Sequence, residues 1–279
     1  MAVKESTQKE HATDIWIFFI LTYVISWIFW APIILESLGF LPASPITDFF
    51  MSPFNPAAFG PLLAALIMSY RAGKLQAIKD LLKSGINIKF SKIWLLPVLF
   101  LFPIIVVVSA VIGMIAVDFT FPALTAELVF VVPISFIIIL LTAGPLQEEF
   151  GWRGYALPRL QERFSALTSS IILGLLWSAW HLPLFLVYAG ATGSMYYQHP
   201  IWVMFIAVTF STIIFTWVYN NANGSVLATL LLHTSLNLSL WLFPILNTQV
   251  ATYASLVLFV IVAVVLVVVY GQKMLRKEK

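Results

Sequence analysis

All fifteen Lys and Arg residues of this chain fall in four short stretches, and that confinement constrains the fold more than any single motif. Lys4 and Lys9 lie near the N-terminus, and Arg71, Lys74, Lys79, Lys83, Lys89 and Lys92 fill one loop. Arg153, Arg159 and Arg163 form a third group, and Lys273, Arg276, Lys277 and Lys279 a fourth. Around them run apolar stretches at roughly 15–35, 54–70, 93–117, 127–157, 169–189, 200–219, 225–243 and 250–271. A helix needs about 20 apolar residues to cross a bilayer, so the pattern predicts an all-α, multi-pass membrane protein with eight transmembrane helices. Eight crossings put every basic group on one side, and seven or nine would not. By the positive-inside rule that side is the cytoplasm, with both termini there and the cell membrane as the expected location. The stretches around 36–53, 118–126, 190–199 and 244–249 carry no Lys or Arg and face outward.

Composition agrees. At 61% hydrophobic and 10% charged residues, an ordinary soluble domain is excluded. The net charge of +3 reads as anchoring against anionic lipid, not as nucleic-acid binding. The basic, partly amphipathic stretch 71–92 is expected along the inner interface. With no cysteine, disulfides, thiolate metal ligands and a cysteine nucleophile are excluded. The N-terminal region has interspersed acidic residues and no small-residue cleavage site after Trp30, so its first apolar run reads as a retained signal anchor. No internal repeat or long linker divides the chain, and residues 1–279 read as one membrane domain.

Few polar groups remain at depth in the apolar segments. They are Glu148, Glu149 and Arg153 on segment four, His181 on segment five, and His233 with Asn237 on segment seven. Ionisable residues buried in a membrane are costly and usually functional. If segment four continues as helix to Pro158, the expected breaker, Glu148 lies about 15 Å from its inner end. His181 lies about 18 Å from the entry at Ser169, and His233 and Asn237 about 13 and 20 Å from Gly224. Three helices thus bring polar groups to similar depth, which predicts a polar cavity among helices four, five and seven. Glu149 and Arg153 are four apart and predict an intrahelical ion pair that supports the site. Glu148 points about 100° away, free of that arginine. Gly144-Pro145 is expected to kink the helix just before the glutamates, and Gly151 and Gly154 to permit close helix contact.

A carboxylate and an imidazole flanking a water form a general-base pair, and a second imidazole with an amide can donate to an oxyanion. That is an inventory for amide hydrolysis without a covalent intermediate. The same Glu148, His181 and His233 could instead hold a catalytic zinc. The residue types alone leave both open.

The order Glu148-Glu149-x-x-x-Arg153, then His181, then His233-x-x-x-Asn237 resembles the CAAX-processing and bacteriocin-processing family of intramembrane endopeptidases, and its type II CAAX prenyl endopeptidase group in particular. The resemblance covers roughly 127–243 as a catalytic core, and Gly154-Tyr155 and Leu157 extend the glutamate motif. One departure is Trp177, where the family usually has Phe four residues before the middle histidine; it is read as a change of pocket shape that leaves the chemistry alone. The resemblance implies that Glu148 and His181 activate water while His233 and Asn237 stabilise the oxyanion. It implies a membrane-anchored peptide or protein substrate, prenylated CAAX or bacterial leader peptide, and no required cofactor, with a zinc metalloprotease as the alternative.

Competing readings are a transporter or an immunity protein whose polar cluster binds an ion or partner. Symmetry-related pairs of broken helices, expected of many transporters, are not evident. Ser178, three residues before His181, has no third orienting group and is a weak serine–histidine candidate. His11 and His199 read as bystanders outside the membrane, and Asn55 as a residue that could approach the cavity.

Overall fold

The computed structural model describes residues 2–51, 56–123, 125–187 and 199–273. Asn55, the stretch 190–198 and the tail residues Arg276, Lys277 and Lys279 lie outside the described residues, as do the side chains of Lys4, Lys9 and His11. Among the described residues every regular element is helical. The longer ones are α1 (Ala2–Ser37), α3 (Gly60–Ser84), α4 (Leu95–Ile115), α5 (Leu128–Thr142), α8 (Ala166–Trp180), α9 (Ile201–Asn221), α10 (Val226–Leu242) and α11 (Gln249–Tyr270). Short helices α2 (Pro45–Met51), α6 (Pro145–Glu149) and α7 (Leu157–Gln161) complete the set.

Six stretches are long and apolar enough to cross a bilayer: Asp14–Ser37, Lys92–Ile115, Leu128–Gln161, Ala166–Leu186, Ile201–Asn221 and Gln249–Tyr270. The protein is therefore an integral membrane protein. The other two expected segments are helical but differ in form. The helix of segment seven is α10, only 17 residues long. The helix of segment two begins at Gly60, after a 3-10 turn over Pro56–Phe59, and runs through the basic stretch to Ser84. It is interrupted at Gly73 and Lys74, whose backbone leaves the helical region (φ −150° and 55°). The apolar part before that interruption is short, and the basic part beyond it exposes Leu75 and Leu82.

Around the site, α8 packs on α9, α10 on α4 and α5, and α11 on α4 and α9. Because lipid offers no drive between apolar helices, hydrogen bonds and small residues hold such interfaces. Ser170 Oγ donates to Thr216 Oγ1 at 2.7 Å between α8 and α9. At the N-terminal end of α8, Ser165 caps the helix by accepting from Thr168 N at 3.1 Å. The chain beyond α11 supplies two more acceptors there: Ala166 N donates to Lys273 O and Leu167 N to Gln272 O, at 2.9 and 3.0 Å.

Candidate active site

Segment four is broken where Gly144-Pro145 predicts a kink. Helix α5 stops at Thr142 and α6 starts at Pro145. Gly144 has φ 105°, a conformation closed to most side chains. Gln147 splints the break: its Oε1 accepts from Gly144 N at 2.9 Å and its Nε2 donates to Leu141 O at 3.1 Å. Sequence reasoning passed over this glutamine. After Glu149 the chain widens into a π-helical turn over Phe150–Ala156, a form that recurs at functional sites. The helix then runs on to Gln161, so Pro158 does not end it. It sits in the first turn of α7, where a missing N–H is tolerated. Gly151 fits the predicted role, since an added Cβ would lie 2.5 Å from Pro61 Cβ on α3.

The two glutamates separate as their spacing predicts. Glu149 Oε1 accepts from Arg153 Nη1 at 2.8 Å, and both side chains are fully buried. The guanidinium lies between the rings of Trp177 and Phe215, 4.3 and 4.0 Å from their centroids. Such cation–π contacts add attraction in a dry site. Glu149 does more than predicted, because the same oxygen accepts His233 Nδ1 at 2.9 Å. Glu148 makes no bond to Arg153; its Oε2 accepts Trp177 Nε1 at 2.7 Å and Trp152 Nε1 at 3.2 Å. Trp177 thus bonds directly to a residue of the expected site, which adds to its reading as a change of pocket shape. Its ring edge carries a donor that a Phe lacks.

The histidines are held by their Nδ1 atoms. Helix α8 ends at Trp180 ahead of Pro183, and its last carbonyls gain side-chain donors. His181 Nδ1 bonds Trp177 O at 2.9 Å, Tyr23 OH donates to Leu176 O at 2.5 Å, and Trp27 Nε1 donates to Trp180 O at 3.0 Å. A carbonyl only accepts, so His181 carries a proton on Nδ1. His233 stands edge-on to the rings of Trp177 and Phe215, at 5.5 and 5.7 Å. Asn237 Nδ2 donates to Ala143 O at 2.8 Å, tying α10 to the break in segment four. Ser178 Oγ donates to Gly174 O, so it is no partner for His181 in a serine–histidine pair.

Glu148, His181, His233 and Asn237 line one cavity of about 420 Å³, together with Trp177 and Ala143. From there the cavity runs between α9, α10 and α11 past apolar residues such as Val203, Val208, Leu240 and Leu256, and reaches His199. His199, expected outside the membrane, is part of the cavity wall, and its Nε2 bonds Leu246 O at 2.8 Å. The zinc alternative fits these residues poorly. Among the described residues no three His, Asp or Glu side chains form a group that could hold a metal ion. One oxygen of Glu148 already faces two N–H hydrogens, whose positive ends would repel a cation.

Fold and site together define a multi-pass helical membrane protein with a buried carboxylate–imidazole centre. Residues 130–239 match the family described as type II CAAX prenyl endopeptidase, Rce1-like. A similar relative is the "CAAX prenyl protease 2" of Methanococcus maripaludis, 27% identical over 267 residues, which covers 92% of this chain and 94% of the relative. The middle of the chain is thus similar to type II CAAX prenyl endopeptidases, and both likenesses support an intramembrane protease.

Proposed function

We propose that this protein is a metal-independent endopeptidase that cleaves a membrane-anchored CAAX-type peptide with water activated by Glu148 and His181. The observation that carries the reading is the convergence of Glu148, His181, His233 and Asn237 on one largely apolar cavity. A water between the carboxylate and His181 Nε2 attacks the scissile carbonyl carbon, and its proton passes to Glu148. The carbonyl becomes an oxyanion that accepts from His233 Nε2 and from the second hydrogen of the Asn237 amide. Collapse breaks the C–N bond, and the proton held by Glu148 goes to the leaving amine.

His233 can donate from Nε2 only with both nitrogens protonated, and its Nδ1–H then keeps the bond to the Glu149 carboxylate. Asn237 keeps one amide hydrogen for the oxyanion while the other holds Ala143 O. The apolar arm of the cavity suits a prenyl chain or an apolar peptide segment. We read the chain as eight crossings of the cell membrane with both termini cytoplasmic, a topology supported by the one-sided distribution of Lys and Arg.

The test is incubation of the purified protein in detergent with a prenylated CAAX peptide and its unprenylated twin. Cleavage of the prenylated peptide at the CAAX bond is expected. Cleavage of the unprenylated twin alone would redirect the substrate to a leader peptide, and cleavage of neither would favour a transporter or immunity protein.

A further inference from the structure

The two oxygens of Glu148 have different surroundings. Oε2 accepts both indole N–H groups, from Trp177 and Trp152. Oε1 lies over the backbone of Gly144, where an added Cβ would stand 2.6 Å from it and 3.7 Å from Asn237 Nδ2. Oε1 and the Asn237 amide therefore lie near one common point at the break in segment four. Hydrogen bonds to an ionised acceptor are short and strong, and more so in a site of low dielectric. Two such donors on one oxygen hold the carboxylate plane and draw electron density toward Oε2.

Both tryptophans are themselves fixed. Trp152 is fully buried, edge-on to Phe18 and Trp180 at 5.9 Å each. Trp177 faces Arg153 and His233 through its ring and receives His181 Nδ1 on its carbonyl. A Phe at 177 would keep the carbonyl and one aromatic face and remove the donor to Glu148 together with part of the ring, whereas a sulfur analogue of the indole removes the donor alone.

We infer that Trp177 and Trp152 are positioning residues that pin Glu148 Oε2, so that Oε1 is the oxygen presented to the attacking water. This rests on the reading of Glu148 as the base. Trp177 supplies the shorter bond and the larger share of the constraint.

The test compares wild-type protein, Trp177→Phe, Trp152→Phe and Glu148→Ala on a prenylated CAAX peptide across pH. Loss of a bond to a charged acceptor predicts a fall in kcat of about tenfold for Trp177→Phe, with KM nearly unchanged. The acidic limb of its pH–rate profile moves to higher pH, because the donor favours the ionised carboxylate. Trp152→Phe moves both readouts the same way by less. If Trp177→Phe does not fold, benzothienylalanine at 177 keeps the ring shape and removes the N–H, with the same outcome expected. Unchanged kcat and pH profile in the folded donor-free variants, with Glu148→Ala inactive, would overturn the inference and leave the base intact. Full activity of Glu148→Ala would instead overturn the base itself, and the inference with it.

Discussion

His233 is bonded through Nδ1 to Oε1 of Glu149 at 2.9 Å, on the oxygen that also accepts Arg153 at 2.8 Å. The second glutamate of the motif therefore joins the arginine of its own helix to a cavity-lining histidine of α10. It neutralises one and aims the other.

That double role predicts a severe effect for Glu149→Ala. Removing one partner of a buried ion pair leaves the other charge uncompensated and costs about 3–5 kcal/mol. Thermal unfolding in detergent checks this, and Glu149→Ala combined with Arg153→Met should recover part of the lost stability. Activity should not return with it, because His233 would still lack its Nδ1 acceptor.

Gly144→Ala tests the break in segment four. Its backbone conformation would cost a side chain about 1–3 kcal/mol, and the new Cβ would collide with Glu148 Oε1. The variant is expected to fold with a reduced unfolding temperature and to lose at least about tenfold in kcat, since small displacements of a reacting group are costly. Wild-type kcat would contradict the packing of the carboxylate against Gly144.

The capping of α8 by Gln272 and Lys273 makes a third prediction. Ending the chain at Tyr270 removes both acceptors from the start of the helix that carries Trp177 and His181. A loss of about 1–2 kcal/mol is expected, since water at the end of the helix replaces part of what is lost. Hydrogen exchange at Ala166 and Leu167 should rise locally, and uniform exchange with wild type would contradict it.

Much of this architecture is legible from spacing and charge. The Glu149–Arg153 pair follows from a separation of four, and the break follows from Gly144-Pro145, while Glu148, His181, His233 and Asn237 do line one cavity. What escapes depends on how separate helices face one another. The bond between His233 and Glu149 joins α10 to α6, and no local pattern encodes that register. Trp177 escapes for another reason: in an apolar pattern it counts as bulk, although its ring edge carries a proton. Its separation of four from His181 was the available clue, since it puts both on one face of α8. Pro158 misleads because the π-helical turn before it lets a proline begin α7, and nothing in Phe150–Ala156 announces that turn. His199 sits beside a stretch that reads as an outer loop, and only tertiary packing brings it to the cavity.

Metal independence has its own check. Elemental analysis of pure, active protein should find zinc far below one equivalent, and chelators should leave the rate unchanged. Stoichiometric zinc with activity lost on chelation and restored by the metal would contradict it.

The central claim is that Glu148 is the base, and Glu148→Gln tests it most directly because the amide keeps the size of the side chain while losing its capacity to take a proton. Single-turnover cleavage of a prenylated CAAX peptide should fall by at least about a hundredfold, in line with the usual contribution of a general base, while the unfolding temperature stays close to wild type. A folded Glu148→Gln protein that cleaves at the wild-type rate would contradict the account.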